Sequence, residues 1–290
     1  MLYSPMLGAS QVSDLKSQSY LKQIKNIASE NKAIFCRAEF DIPATQDFGT
    51  LGLSDYIKAF EEMQPEHTLI LDIDRTEAEI LEQMKPKGRY NIRVAERSGI
   101  IIEKTDSVRE FFQLYQIMAK RQKITYRNEQ YFQKLVDILK EKDYVQVFLA
   151  REARAPHEST NGTTKVQNYE SSNESTSQRV NESTILAAAI VTYYDKRATY
   201  LFGGSSSKHR ELMAPYKLHW EIIKDAKTKG CVEYDFFGIA PDNNPKHPWA
   251  GVTRFKKQFG GRQVDLLGSY DLVFNKTKYQ LFKMAEKIRR

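Results

Sequence analysis

Two lysines stand between two phenylalanines in GVTRFKKQFGGRQV, residues 251–264, and a pair of glycines follows them. Such a segment either decorates the surface or brings a cation to a site where charge on a ligand must be met. Composition alone makes the same stretch a basic surface helix with a glycine stop. More cations recur in GRYNIRVAERSG, where Arg89, Arg93 and Arg97 fall at i, i+4 and i+8 and so share one helix face. Guanidinium forks pair bidentately with phosphates, so this stripe could line an RNA or diphosphate groove; the bland reading is a solvated face balanced by Glu96. A third candidate is the loop YLFGGSSSKHRELMAPY, where Gly203 and Gly204 permit backbone approach to an anion and Lys208 and Arg210 add charge before a helix start.

Other chemistries find no support. The third loop has neither G-x-x-x-x-G-K-[ST] nor G-x-G-x-x-G, and it lacks the Q/R-x-x-G-x-G/A loop that grips acetyl-CoA in GNAT acetyltransferases, so no nucleotide cofactor is expected. His67, His157, His209, His219 and His247 are scattered without ligand spacing, Cys36 and Cys231 cannot build a thiolate cage, and no metal is expected. No serine sits in G-x-S-x-G, which argues against a serine hydrolase. The formal net charge of +7 over 290 residues points to an anionic partner: nucleic acid, a phosphorylated substrate or a membrane surface. No run is long enough to span a bilayer and MLYSPMLGAS does not read as a secretion signal, so the expected location is the cytoplasm.

These residues need elements to hold them. DYVQVFLAR and TILAAAIVTYY are strand-like and flank residues 152–183, a Ser/Thr/Asn/Glu-rich stretch without Leu, Ile, Met, Phe or Trp, which reads as a disordered insert in an overgrown hairpin. Asp195 and Lys196 mark a second hairpin turn before RATYLFGG. LMAPYKLHWEIIKDAKTKG has helical spacing at Leu212, Tyr216, Trp220, Ile223 and Ala226, and CVEYDFFGI, GVTRFKKQF and VDLLGSYDLV follow as strand, short helix and strand. In the earlier half, HTLILDID and IIIEKT read as strands around the helices TEAEILEQMK and GRYNIRVAERSG, and SVREFFQLYQIMAKRQK and YFQKLVDILKEK as connecting helices. The plan is α+β with mixed central sheets.

The blocks TLILDID…KPKGRYNIRVAERSGI, ATYLFGGSSSKHRELMAPYKLHWEIIKDAKTKGCVEYDFFGI and HPWAGVTRFKKQFGG resemble the FemABX family of non-ribosomal peptidyltransferases, from about residue 68 to the end apart from the insert. The resemblance implies two GNAT-like domains: residues 1–104 completed by 269–290, and residues 105–268. It implies transfer of an amino acid from aminoacyl-tRNA to an amine of a peptidoglycan precursor stem peptide, on lipid II or its UDP-linked form. The family's F-K pair falls on Phe255 and Lys256, implying a lysine beside the aminoacyl ester and a ring beside the terminal adenosine, with Lys257 a solvated neighbour. Tyr216 and Trp220 match P-Y-x-L-x-W, Arg210 precedes them, Arg89, Arg93 and Arg97 match a basic helix, and Glu39 falls at an acidic position; all are expected to bind substrate across an interdomain cleft. Asp235, in the matched Y-D-F-x-G-I, is expected to be structural.

There are departures. LYSPMLG is similar to a later Y-x-P-R-G-P strand of the family with Met6 in place of arginine, so the first βα unit is expected to be missing and precursor affinity weakened. No coiled-coil arm is expected. The implied partners are aminoacyl-tRNA and the precursor, with peripheral contact at the inner membrane face and no stable DNA binding. Two alternatives remain open: an accessory binding protein of the same fold without turnover, and an acyl-CoA-dependent N-acyltransferase.

Overall fold

The strands read from DYVQVFLAR and TILAAAIVTYY pair antiparallel in the computed structural model, which describes residues 1–8, 18–46, 53–153 and 184–289. Most of the insert expected to be disordered, residues 154–183, lies outside the described residues. From the N-terminus the elements are β1 (Leu2–Gly8), α1 (Gln18–Glu30), β2 (Phe35–Pro43), β3 (Tyr56–Lys58), β4 (His67–Asp72), α2 (Glu77–Gln83), α3 (Pro86–Arg97) and β5 (Ile100–Thr105). Then come α4 (Arg109–Gln122), α5 (Glu129–Lys140), β6 (Val145–Glu152), β7 (Ile185–Tyr194), β8 (Arg197–Ser205), a 3₁₀ turn at Arg210–Leu212 and α6 (Ala214–Thr228). The chain closes with β9 (Glu233–Gly238), α7 (Ala250–Lys256), a 3₁₀ turn at Lys257–Phe259, β10 (Arg262–Val273) and α8 (Lys276–Arg289). The class is α+β, as the change of period predicts.

Two compact units result, residues 1–71 with 235–290 and residues 72–234. The spine of the first is β10. Residues Arg262–Asp265 pair antiparallel with β4, and Leu266–Val273 with β2, whose other edge takes β1 in parallel; β3 joins β10 at Tyr270–Leu272. The hand-over between partners coincides with a register shift between Leu266 and Gly268, where φ of +72° suits glycine and bulges the strand. Pairing with β2 puts β10 in the first unit, and the compact units divide at 71/72 and 234/235; the sequence reading divides the chain at 104/105 and 268/269.

Alternation fills the first unit's core with Ile24, Cys36, Ala38, Phe40, Ile42, Leu53, Tyr56, Leu267 and Leu272. Fully buried Arg37 points away from that cluster. Its Nε and Nη2 each donate to Asp271 at 2.8 Å, and the Tyr279 hydroxyl donates to the same carboxylate at 2.7 Å, which fastens α8 to the sheet.

In the second unit β5, β6, β7 and β8 form an antiparallel run in that order. Asp195 and Lys196 turn β7 into β8 with φ of +46° and +60°, the backbone of a tight hairpin turn. Val145, Val147 and Leu149 alternate toward Phe111, Phe112, Leu114, Phe132 and Val136 of α4 and α5. β7 is buried along nearly its whole length because helices α4 and α6 both pack on it. Helix α2 starts from a capping box: the Thr76 hydroxyl accepts from the Glu79 amide, and the Glu79 carboxylate accepts from the Thr76 amide.

Candidate active site

Lysine 256 ends a helix whose inward face is set one turn earlier. Thr253 is buried, and its hydroxyl accepts the Ala240 N–H at 2.8 Å, tying α7 to the chain that leaves β9. Three residues on, Lys256 falls on the same face. It is 5% exposed, and its Nζ donates to the Gly238 carbonyl at 2.7 Å and lies 3.5 Å from the Phe237 carbonyl. Lys257 turns elsewhere and donates to Asn243 Oδ1 at 3.3 Å. The two lysines do separate, but Lys257 is half-buried and hydrogen-bonded.

The carbonyls that receive Lys256 owe their position to Asp235. Its Oδ1 accepts from the Thr68 hydroxyl and, at 2.7 Å, from the amide of Phe237 two residues on, an Asx-type turn. Phe237 is held at φ +61°, a region that bulky side chains rarely enter. Gly238 follows because the backbone passes close to its neighbours: a Cβ there would lie 2.7 Å from Pro65 Cγ and 3.2 Å from the Trp249 ring. Burial pushes the Lys256 amine down to about 8, and attraction to Asp235 holds it up against that fall. At pH 7 the amine is therefore about ten parts charged to one neutral. Asp235 is 6% exposed and organises this turn.

Phe255 is half-buried and meets Phe259 edge-on at 5.5 Å, and Phe259 in turn packs on Phe236 at 5.1 Å. Glu39 is 2% exposed on β2. Its carboxylate accepts from the Ser269 hydroxyl, the Met63 amide at 3.2 Å and the Gln64 amide at 3.1 Å. Burial raises its pKa, and these donors oppose the rise. The next residue, Pro65, is the one that packs on Gly238, so Glu39 supports the Lys256 turn through residues 63–65.

The remaining candidates lie in the second unit and have different environments. Arg89 is half-buried and donates to the Leu81 and Met84 carbonyls, closing the end of α2, so it is occupied structurally. Arg93 and Arg97 are exposed and, with Tyr90 and Glu96, line a groove of about 480 Å³. Tyr216 on α6 is half-buried; burial raises its pKa, and a side-chain hydrogen bond to Asn91 of α3 works against that rise. Trp220, one turn further, is 4% exposed and sits in the core, where it supports α6 and presents no open ring. Arg210 is exposed in its 3₁₀ turn, whose flanking residues His209 and Met213 both have φ of +53°. His219 is buried, with Nδ1 2.8 Å from the Tyr234 hydroxyl. Sequence reasoning did not find Thr68, Thr253 or the Phe237–Gly238 carbonyls as parts of the lysine site; an Asp followed two residues later by an aromatic at a strand end was the only local hint. Among the described residues no group of three or more His, Cys, Asp or Glu side chains could hold a metal, and no helix is long and apolar enough to cross a membrane.

Two compact units, each of strands covered by helices, make this a two-unit α+β protein. The crystal structure of FemX superposes with a TM-score of 0.74 over 95% of this chain and 82% of that one, at 21% identity. The chain belongs to the FemAB family, whose model matches residues 50–155 and 149–287. It is similar to lipid II:glycine glycyltransferase of Staphylococcus haemolyticus (strain JCSC1435), 24% identical over 93% of this chain and 75% of the relative. The Staphylococcus aureus (strain USA300) enzyme of the same description is 23% identical over 92% and 75%.

Proposed function

We propose that the protein transfers an amino acid from aminoacyl-tRNA to an amine on the stem peptide of a peptidoglycan precursor, with Lys256 as the cation at the ester. Membership of the FemAB family supports the aminoacyltransferase assignment, and the glycyltransferase relatives, described as acting on lipid II, support the class of acceptor. No metal or organic cofactor enters the reaction; the tRNA ester is already activated. The acceptor nitrogen attacks the ester carbonyl, the C–N bond forms, and charge collects on the carbonyl oxygen. The C–O bond to ribose then breaks, its electron pair goes to the ribose oxygen, and the proton lost by the amine ends there. Each stage places negative charge on an oxygen, which a fixed ammonium favours.

One observation carries this reading: a lysine held under a short helix by backbone carbonyls, desolvated yet still mainly charged at neutral pH. Phe255, beside it in sequence, offers a partly open ring for the terminal adenosine. Arg93 and Arg97 offer guanidinium forks for precursor phosphates, and Arg210 and Tyr216 stand as further substrate contacts. Arg89, Trp220 and Glu39 act through others, by closing α2, filling the α6 core and fixing residues 63–65.

The test uses purified protein, a panel of charged tRNAs, and lipid II and UDP-linked precursors as acceptors. Transfer from at least one tRNA is expected, reduced about 100-fold or more in Lys256→Ala. An unchanged rate in that variant would remove Lys256 from the chemistry. Retained tRNA binding without transfer by the wild type would favour the accessory role.

A further inference from the structure

Helix α8 buries one face and leaves an apolar one bare. Tyr279 and Phe282 pack inward against Phe35 and Phe60, and Lys283 lies over the rings of Phe60 and Tyr279. On the opposite side Leu281, Met284 and Ile288 are 61%, 60% and 86% exposed. Their spacing of i, i+3 and i+7 makes them one stripe at 3.6 residues per turn, with exposed Ala285 inside it. The helix also carries Lys276, Lys278, Lys283 and Lys287 against the single carboxylate of Glu286. At its start Lys278 joins Lys25 and Lys32 in lining a pocket of about 510 Å³, with Ser29 and Asn275 but no acidic residue among its lining.

We propose that α8 docks the protein on an anionic phospholipid surface. The stripe enters the boundary between headgroups and acyl chains, and Lys25, Lys32 and Lys278 meet lipid phosphates beside it. A helix that shows solvent both a bare apolar stripe and an excess of cations has the pattern of an interfacial helix, in which apolar burial and attraction to anionic lipid add. A second copy of the chain fits less well, because two-fold contact through the stripe would set one cationic helix against another. The inference rests on this helix and pocket alone and needs neither tRNA nor precursor, so its failure would leave the transfer reaction as proposed.

The full-length protein is tested by co-sedimentation with phosphatidylcholine vesicles, with and without phosphatidylglycerol. Binding to the anionic vesicles, weakening with salt, is expected. The variant Leu281→Ser/Met284→Ser/Ile288→Ser changes only exposed side chains, keeps its melting temperature, and binds about 30-fold more weakly or worse. Reversing Lys25, Lys32 and Lys278 to glutamate costs about tenfold or more. In Met284→Trp, the tryptophan emission shifts to the blue on anionic vesicles. No sedimentation of the wild type, or equal sedimentation of the serine variant, overturns the proposal. So does a wild-type dimer in solution that the serine variant converts to monomer, since the stripe would then belong to a second copy.

Discussion

The buried Lys256 amine makes the pH dependence of transfer a sharp test. With its pKa lowered to about 8, the ammonium dominates at pH 7 and is a minority species by pH 9. A rate that requires the charged form should therefore fall about tenfold between those two values. On the acid side the rate rises with pH, because the attacking amine must be neutral, and the two limbs give a bell. Initial rates at saturating aminoacyl-tRNA, corrected for spontaneous ester hydrolysis, give the profile. Lys256→Arg keeps a cation at every accessible pH, so its residual activity should lose the alkaline limb. The reasoning is refuted if the wild-type rate climbs through pH 8 to a plateau while Lys256→Arg is dead, because a neutral lysine would then be acting as a base. Stability gives an independent reading of the same group. Its folded pKa lies below the unfolded value near 10.5, so the unfolded chain binds the extra proton and stability rises between about pH 8 and pH 10.5. Across that window the wild type should gain about 3 kcal/mol relative to Lys256→Met, measured by urea unfolding.

Removing the Glu39 charge as Glu39→Gln leaves donors of the Met63 and Gln64 amides and the Ser269 hydroxyl poorly matched. A loss of about 1–3 kcal/mol is expected, with faster hydrogen exchange at those two amides; unchanged exchange would disprove the link to residues 63–65. Asp271→Asn removes the bidentate carboxylate from a fully buried guanidinium, leaving Glu61 at 3.3 Å as its carboxylate partner, and should cost about 3 kcal/mol, whereas the double change Arg37→Met/Asp271→Leu should recover part of it in denaturant titrations. Arg93→Ala and Arg97→Ala should leave stability within about 0.5 kcal/mol and raise the KM for precursor, while Arg89→Ala should lower the melting temperature by uncapping α2. Equal effects of the three arginine changes on KM would mean that the stripe acts as one surface.

Local chemistry was enough for much of the second unit. The Asp195–Lys196 turn, the apolar run of β7 and the helical spacing of α6 each follow from a few adjacent residues, and each forms as read. Partnerships across long separations were not legible in the same way. The carboxylate that meets Arg37 is 234 residues away, and the hydroxyl on Glu39 is 230 away. A lone buried charge in a strand cannot announce its partner, and nothing beside Glu39 in sequence points to the Ser269 hydroxyl or the Met63 and Gln64 amides that its oxygens accept from. Arg89 shows a different limit. Helical spacing correctly put it in line with Arg93 and Arg97, but the carbonyls at the end of α2 needed a donor and took it out of the stripe.

The lysine site shows where the remaining information lay. Desolvating Lys256 costs stability, and Phe237 at φ +61° adds backbone strain beside it. A fold selected for stability alone would do better with an apolar residue at 256 and a glycine at 237. Both costs fall within one turn at the end of β9, and Asp235, Thr68 and Gly238 are arranged around that turn. Strain and a desolvated cation gathered at one place argue that this lysine is retained for chemistry. On that argument Phe237→Gly should stabilise the fold while lowering transfer, because relaxing the turn would free the two carbonyls that aim Nζ. A variant that gained stability and kept full activity would break the connection between the strained turn and the reaction.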